Sequence, residues 1–292
     1  MDMEQRKKLR NLMKLNKCSS IVGAYDALSA KLVEQAGCEI IHVGGYNLSA
    51  VQLGLPDVGY LTLSETVSSV SRIAACVETP VIADGDDGYG NYLNIQRLIR
   101  ELEKGCIAGV HIEDQVFPKR CGHMAGKRVV SKDQMVSKIK ASVDARIDND
   151  FVIIARTDAI AVNGFDDAME RAHSYAEAGA DIIFVEAPLT IEQVKKIPIE
   201  IQVPTLFNWC YGGRSPVPSI EELNSFGYRF SLYTDVLYAV SKLLQNLYSE
   251  MKKTGSYGSF TNQMIPFDEF NKIIGLDKIS KLEEKYGEAF KT

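Results

Sequence analysis

The chain has 292 residues, 46% of them hydrophobic and 24% charged, with a formal net charge of −5. That length and apolar fraction supply one large core, in the size range of a single α/β barrel. The acidic balance and scattered Lys and Arg argue against a nucleic-acid footprint, and no apolar run approaches the ~20 residues that span a bilayer.

Residues 1–17 read as a charged amphipathic helix with Leu9, Leu12, Met13 and Leu15 on its apolar side. No apolar stretch of the kind a secretory signal carries follows its charges. Six cysteines, at 18, 38, 76, 106, 121 and 210, lie far apart without a CxxC pair. They point to reduced thiols and a cytoplasmic protein rather than to a zinc or redox motif. Cys38, Cys76 and Cys106 are expected as small buried hydrophobes.

From there the chain alternates. Apolar runs of strand length are predicted at 20–25, 39–43, 80–84, 108–113, 151–157, 181–186, 204–208 and 229–233. Helical periodicity fills 26–36, 64–77, 92–104, 131–146, 166–178, 190–197, 219–226 and 235–251. Asp26 and Ser64 are placed as N-caps, and Gly37, Gly105 and Gly179 as left-handed C-caps. Eight strand–helix units imply a parallel sheet closed as a TIM-type (β/α)8 barrel. An open doubly wound sheet is the alternative, but no G-x-G-x-x-G follows the first strand. The catalytic domain is set at residues 1–252. A polar, glycine-containing linker follows, then a segment at 267–274 and a charged helix at 277–290. This extension, 253–292, is surplus to the barrel and is expected to pack on its outside or on a neighbouring subunit.

A barrel places its chemistry at the C-terminal strand ends. Those ends carry Asp84-Gly85-Asp86-Asp87-Gly88-Tyr89-Gly90, Glu113-Asp114, Arg156-Thr157-Asp158, Glu186 and Asn208-Trp209-Cys210. The first is either a turn rich in Asp and Gly or a site for a hard divalent ion. Asp84 and Asp86 can turn toward one point, and Asp57 and Glu113 can hold the ion's waters; Mg²⁺ fits, with Mn²⁺ a substitute. Arg156 and Asn208 suit substrate carboxylates, although Arg156 could instead pair with Glu186. After the fourth strand, Lys119-Arg120-Cys121-Gly122-His123 sets a thiol among cationic side chains. That is either a charged exposed loop or a thiol of lowered pKa, with Gly122 and Gly126 as hinges of a lid. His42 and His123 stay open between core residues and acid–base groups, whereas His111 reads as structural and His173 as surface. Metal, carboxylate clamp and mobile thiol together fit carbon–carbon cleavage of a 2-hydroxy acid, with Cys121 exchanging a proton at the released carbon. Tyr46, Trp209, Cys210 and Tyr238 would shape the pocket.

The segments Asp84–Gly90, Gly109-Val110-His111-Ile112-Glu113-Asp114-Gln115, Lys119–His123, Ile154-Ala155-Arg156-Thr157-Asp158 and Leu53-Gly54-Leu55-Pro56-Asp57 resemble the isocitrate lyase/phosphoenolpyruvate mutase superfamily. Within it they are most similar to the 2-methylisocitrate lyase and 2,3-dimethylmalate lyase branch. The resemblance implies a Mg²⁺-dependent lyase releasing pyruvate or another 2-oxo acid. Asp84 and Asp86 would be metal ligands, and Asp57 and Glu113 would hold water. Gly44, Gly45, Tyr46, Gly122, Arg156, Glu186, Asn208 and Trp209 would line the substrate. Cys121 would be the proton donor, with Glu113, His123 and Arg156 in the catalytic set. It also implies a homotetramer built through the C-terminal helices. Oxaloacetate hydrolysis or decarboxylation and phosphonate chemistry are alternatives on the same scaffold, and a non-catalytic metabolite-binding barrel is one of another class. The chain departs from the branch at His42-Val43-Gly44-Gly45-Tyr46 and at Asn208-Trp209-Cys210. No arginine lies near Tyr238 for a third carboxylate, which favours a dicarboxylate.

Overall fold

The computed structural model describes residues 2–287, so the expected end of the last helix at residue 290 lies outside the described residues. Eight strands, β1 (Ser19–Gly23), β2 (Ile40–Val43), β3 (Val81–Asp84), β4 (Gly109–Glu113), β5 (Val152–Thr157), β6 (Ile182–Val185), β7 (Thr205–Trp209) and β8 (Phe230–Tyr233), close in sequential order into a barrel. Every neighbouring pair is parallel, including β1 with β8. The helices around and beyond it are α1 (Asp2–Lys14), α2 (Ala27–Gln35), α3 (Gly45–Leu53), α4 (Leu63–Ala74), α5 (Tyr92–Lys104), α6 (Lys132–Ala145), α7 (Ile160–Asn163), α8 (Phe165–Glu177), α9 (Ile191–Glu200), α10 (Ile220–Phe226), α11 (Val236–Thr254), α12 (Phe267–Ile273) and α13 (Leu276–Tyr286). The eight-strand barrel is the expected fold. None of the described helices is long and apolar enough to cross a membrane.

Two apolar clusters arise from the pleat, which sends alternate side chains to opposite faces. Ile21, Ile40, Ile82, Val152, Ile154, Ile182, Phe184, Leu206, Phe230 and Leu232 fill the barrel, and Leu9 of α1 packs with them. The intervening residues, such as Ile41, Val81, Ala83, Ile153, Ile183 and Phe207, face the helices. This parity determines what stands at the mouth. Counting two residues on from the last inward apolar residue gives His42, Asp84, Arg156, Glu186 and Asn208. Register then sets Asp84 beside His111 and Glu113 beside Arg156.

Asp26 caps α2, but α4 starts earlier than expected. Its cap is Thr62, whose hydroxyl accepts from Glu65 N while Glu65 accepts from Thr62 N at 2.8 Å. Thr62 and Glu65 have the three-residue spacing of a capping box, which Ser64 does not. Gly37 and Gly179 take positive φ as expected. Gly105 does not (φ −85), and Cys106 takes the left-handed turn instead (φ 64). An alanine at 105 would put Cβ 2.0 Å from Ser71 Oγ, so space rather than φ accounts for that glycine. Cys38, Cys76 and Cys106 pack at the edge of the outer core and are half-buried rather than buried.

Contacts divide the chain after Val236. From Leu237 the second unit holds α11, a 3-10 turn at Gly258–Gln263, α12 and α13. No residue of these helices is buried, and Phe267, Leu282 and Tyr286 are among their exposed large apolar side chains.

Candidate active site

At the end of β3 the backbone folds tightly around Asp84. Its Oδ2 accepts from Gly45 N at 2.9 Å and its Oδ1 from Asp86 N at 3.0 Å. Asp86 sits at φ 46, and Gly88 and Gly90 also take positive φ. A Cβ on Gly88 would lie 2.2 Å from Ile95, so the turn needs glycine there. Asp87 turns away: its Oδ1 accepts from Tyr89 N, and its carbonyl accepts from Lys138.

The helix α3, which begins straight after the Gly44-Gly45 pair, is not among the predicted elements. Two adjacent glycines at a strand end read as loop, yet Gly44 is an extended N-cap and the helix starts at Gly45. Its N-terminus therefore points at Asp84, where a helix end favours negative charge. A Cβ on Gly45 would meet Asp86, Asp84 and Lys119 atoms at 3.1, 3.2 and 3.3 Å, which shows how closely these groups converge.

Lys119 is central to that convergence. Its Nζ lies 2.6 Å from Asp57 and 2.6 Å from Asp86. Burial pushes the Asp86 carboxyl up to about 7, with Asp84 and Asp57 adding to the rise and Lys119 opposing it. Burial also works against charge on Asp84, but the His111 ring and the Lys119 ammonium outweigh it and hold that carboxyl well below the usual range. Three buried carboxylates around one ammonium are an all-oxygen donor set with a surplus of negative charge. They fit a hard divalent cation, which keeps several waters and needs few protein ligands. Among the described residues no group of three or more His, Cys, Asp and Glu side chains is arranged to hold a metal ion. Below the cluster, His42 and His111 stack with their Nε2 atoms 2.8 Å apart, and His111 Nδ1 lies 3.5 Å from Asp84. Burial and the neighbouring His111 push His42 down to about 3.

Across the mouth, Arg156 lies over the Phe184 ring at 5.1 Å. Asp158 holds its Nε at 2.9 Å and its Nη2 at 3.1 Å. Glu113 stands 3.3 Å from Nε and Glu186 3.8 Å from Nη2. The expected partner Glu186 is thus the more distant one, and Asp158 dominates. Burial opposes charge on Asp158, but Arg156 and Lys127 more than offset it and hold the carboxyl at about 2. Burial raises Glu113 well above the carboxylate range, and its Oε1 has no hydrogen-bond partner. Asn208 Nδ2 donates to Glu186 at 3.2 Å.

The loop after β4 lies down on this cluster. Gln115 grips it at its base, with Nε2 donating to Arg120 O and Oε1 accepting from Arg120 N. A Cβ on Gly122 would fall 2.0 Å from Glu186 Oε1 and 2.6 Å from Arg156 Nη2, so the loop backbone rests on both. His123 Nδ1 accepts from Arg214 N at 3.1 Å, and its Nε2 lies 3.4 Å from Glu186. Gly126 has the positive φ of a hinge, but Gly122 does not.

The expected lowering of the Cys121 pKa is not observed. Burial pushes the thiol up and Glu186 adds to the rise, with only partial relief from the His123 backbone N–H. The cations that flank it in sequence turn elsewhere, Lys119 to the carboxylates and Arg120 outward to Ala125 O. Sequence adjacency points to the wrong neighbours. Trp209 is not brought into the cluster either. It follows inward-facing Asn208, so parity sends it to the helix side, where it packs on the outer core and tilts against Tyr233 at 5.9 Å. Tyr46 is half-buried. Lys127, remote in sequence from the motif's core, proves to be buried on Asp158 at 2.8 Å.

A closed (β/α)8 barrel with carboxylates, an arginine and a cysteine loop at one mouth defines a class. The family model of phosphoenolpyruvate phosphomutase matches residues 9–252, and the chain belongs to that family, within the phosphoenolpyruvate mutase/isocitrate lyase superfamily. It is 43% identical over 285 residues to 2,3-dimethylmalate lyase of Eubacterium barkeri, covering 97% of this chain and 99% of the relative. Oxaloacetate acetylhydrolase in complex with 3,3-difluorooxalacetate superposes with a TM-score of 0.92 at 30% identity, covering 97% of each chain. Phosphonopyruvate hydrolase in complex with oxalate and Mg²⁺ gives 0.87 at 27%, covering 97% and 99%.

Proposed function

We propose that this chain is a Mg²⁺-dependent carbon–carbon lyase acting on a 2-hydroxy dicarboxylate of the 2,3-dimethylmalate type, giving pyruvate and propanoate. The observation that carries the reading is the seating of the Cys121 loop on Arg156 and Glu186, opposite the Asp57–Asp84–Asp86 cluster. The 43% identity to 2,3-dimethylmalate lyase over nearly the whole of both chains supports the choice of substrate. So does the lack of an arginine near Tyr238 for a third carboxylate.

Asp84 and Asp86 would hold the ion, with Asp57 and Glu113 on its waters; when bound, Mg²⁺ supplies stabilisation of negative charge on the 2-oxygen and its neighbouring carboxylate. Arg156, held in place by Asp158, presents its remaining N–H donors to a substrate carboxylate. Gly44, at the start of α3, would offer its backbone N–H to the carboxylate of the pyruvate half, while the Gly45 N–H is engaged by Asp84 Oδ2. The 2-hydroxyl proton passes to Glu113, ionised when positive charge at the neighbouring carboxylate cluster offsets its burial; its unpartnered Oε1 is the buried acceptor at the mouth. The C2–C3 bond breaks, its electron pair goes to C3, and the C2–O bond becomes a carbonyl. Cys121 gives its S–H proton to C3 and regains one as Glu113 is reset, so no proton is consumed. A thiol kept protonated by burial is suited to that role.

The loop excludes water while the carbanion exists. The enzyme would work in the cytoplasm as a homotetramer, its exposed C-terminal helices covered by neighbouring subunits. Oxaloacetate hydrolysis is the second reading, favoured by the fold similarity to oxaloacetate acetylhydrolase. Pyruvate formation from 2,3-dimethylmalate, 2-methylisocitrate and phosphonopyruvate, and oxalate formation from oxaloacetate, each with Mg²⁺ or EDTA, tests the proposal. Metal-dependent pyruvate from 2,3-dimethylmalate is expected; turnover of oxaloacetate or phosphonopyruvate alone would overturn it.

A further inference from the structure

The mechanism gives the buried cation Lys127 no task. The Lys127 side chain is 1% exposed and donates from Nζ both to the Gly122 carbonyl and, at 2.8 Å, to Asp158 Oδ1. A buried ammonium is costly unless fully paired. Asp158 pairs it, and the same carboxylate holds Arg156 Nε and Nη2. Asp158 is itself fixed, because its backbone N–H donates to Asp114 Oδ1 at 2.9 Å. One anchored carboxylate therefore ties the guanidinium on β5 to the peptide next to Cys121.

That peptide is bracketed. Lys127 holds its carbonyl, while its Cα has no room to move toward Glu186 and Arg156. Gln115 grips the loop at Arg120, on the other side of Cys121. With both flanks held, the height of the thiol above the clamp depends on the Lys127 tether.

We propose that Lys127 is a positioning residue, acting through Gly122 and Asp158 to seat Cys121 in register with the carboxylate clamp of Arg156. The proposal rests on the reading of Cys121 as proton donor, but its test separates the two. In Lys127→Met the side-chain length is kept and both donated bonds are lost. The measurements on the full chain are site-resolved alkylation of Cys121 by iodoacetamide, with buried Cys18 as the internal control for unfolding, and kcat and KM for 2,3-dimethylmalate with Mg²⁺.

Cys121 alkylation should rise about tenfold with Cys18 labelling unchanged, and kcat should fall about 100-fold with KM little altered, the cost of a misplaced reacting group. Lys127→Arg, which restores a donor cation, should recover part of both effects. Unchanged Cys121 labelling would overturn the tether whatever the turnover. Raised labelling with unchanged kcat would overturn the positioning role. If the methionine variant fails to fold, Lys127→Gln, uncharged and one atom too short to make both bonds at their present geometry, gives the same two readings. Should the parent not turn over 2,3-dimethylmalate, the lyase reading fails and the labelling alone decides the tether.

Discussion

At the scale of single residues, burial rather than sequence neighbourhood sets the chemistry around Cys121. A proton donor must be protonated, and a pKa raised above the ordinary thiol value of 9.0 keeps it so throughout the neutral range. Activity should therefore persist as pH rises, with an alkaline limb above that of an unperturbed thiol, measured as kcat/KM against pH. Cys121→Ser should lower kcat by about 10²–10⁴-fold, the share general acid catalysis supplies; an unchanged kcat would contradict the assignment. Arg156, proposed above to bind a substrate carboxylate, is also a structural group. Removing its cation in Arg156→Met leaves Asp158, Glu113 and Glu186 buried with one compensating charge fewer. Urea unfolding should show a loss of about 3–5 kcal/mol, and a loss below 1 kcal/mol would contradict the network described. The acids and the arginine were legible from their places at strand ends. The direction of the Cys121 shift was not, because it depends on where Lys119 and Arg120 point, and a one-dimensional motif gives neighbours without directions.

At the scale of elements, strand parity does most of the positioning. The alternation in β3, β5, β6 and β7 made the apolar filling and the polar mouth one continuous pattern, and strands of four to six residues were readable from their apolar runs. The same parity, applied one residue further, would have excluded Trp209 from the pocket. The start of α3 was hidden because Gly44 and Gly45 lack helix-forming side chains, and only the residues from Tyr46 to Leu53 carry the helix. The loop after β4 was legible as a cysteine-bearing loop at the mouth, but its contacts with Glu186, Arg156 and Arg214 join segments far apart in sequence. Gly122 is the residue on which that docking turns. Gly122→Ala, whose Cβ would enter the Glu186 carboxylate, should abolish turnover while the thermal midpoint moves by no more than a few degrees, since the barrel cores are untouched. Wild-type turnover in that variant would show that the loop does not need to rest on the clamp.

At the scale of the whole molecule, the described residues of α11, α12 and α13 after Val236 include none that is buried, yet they carry Phe267, Leu276, Ile279 and Leu282. Exposed apolar surface of that kind marks an interface. Sedimentation should give a particle of four times the 32.3 kDa chain mass, and a stable monomer would contradict the tetramer. The barrel and its mouth were readable from one chain; what covers the tail was not, because in the proposed tetramer it lies on another chain. The central claim is a carbon–carbon cleavage in which Cys121 protonates the released carbon. It is tested most directly by turning over 2,3-dimethylmalate with Mg²⁺ in D₂O and tracking the products by NMR. The account predicts pyruvate in equal amount with propanoate carrying one deuteron at C2, both lost in Cys121→Ser and in EDTA. Pyruvate and propanoate formed as fast by Cys121→Ser would contradict it, as would oxalate and acetate from oxaloacetate with no turnover of 2,3-dimethylmalate.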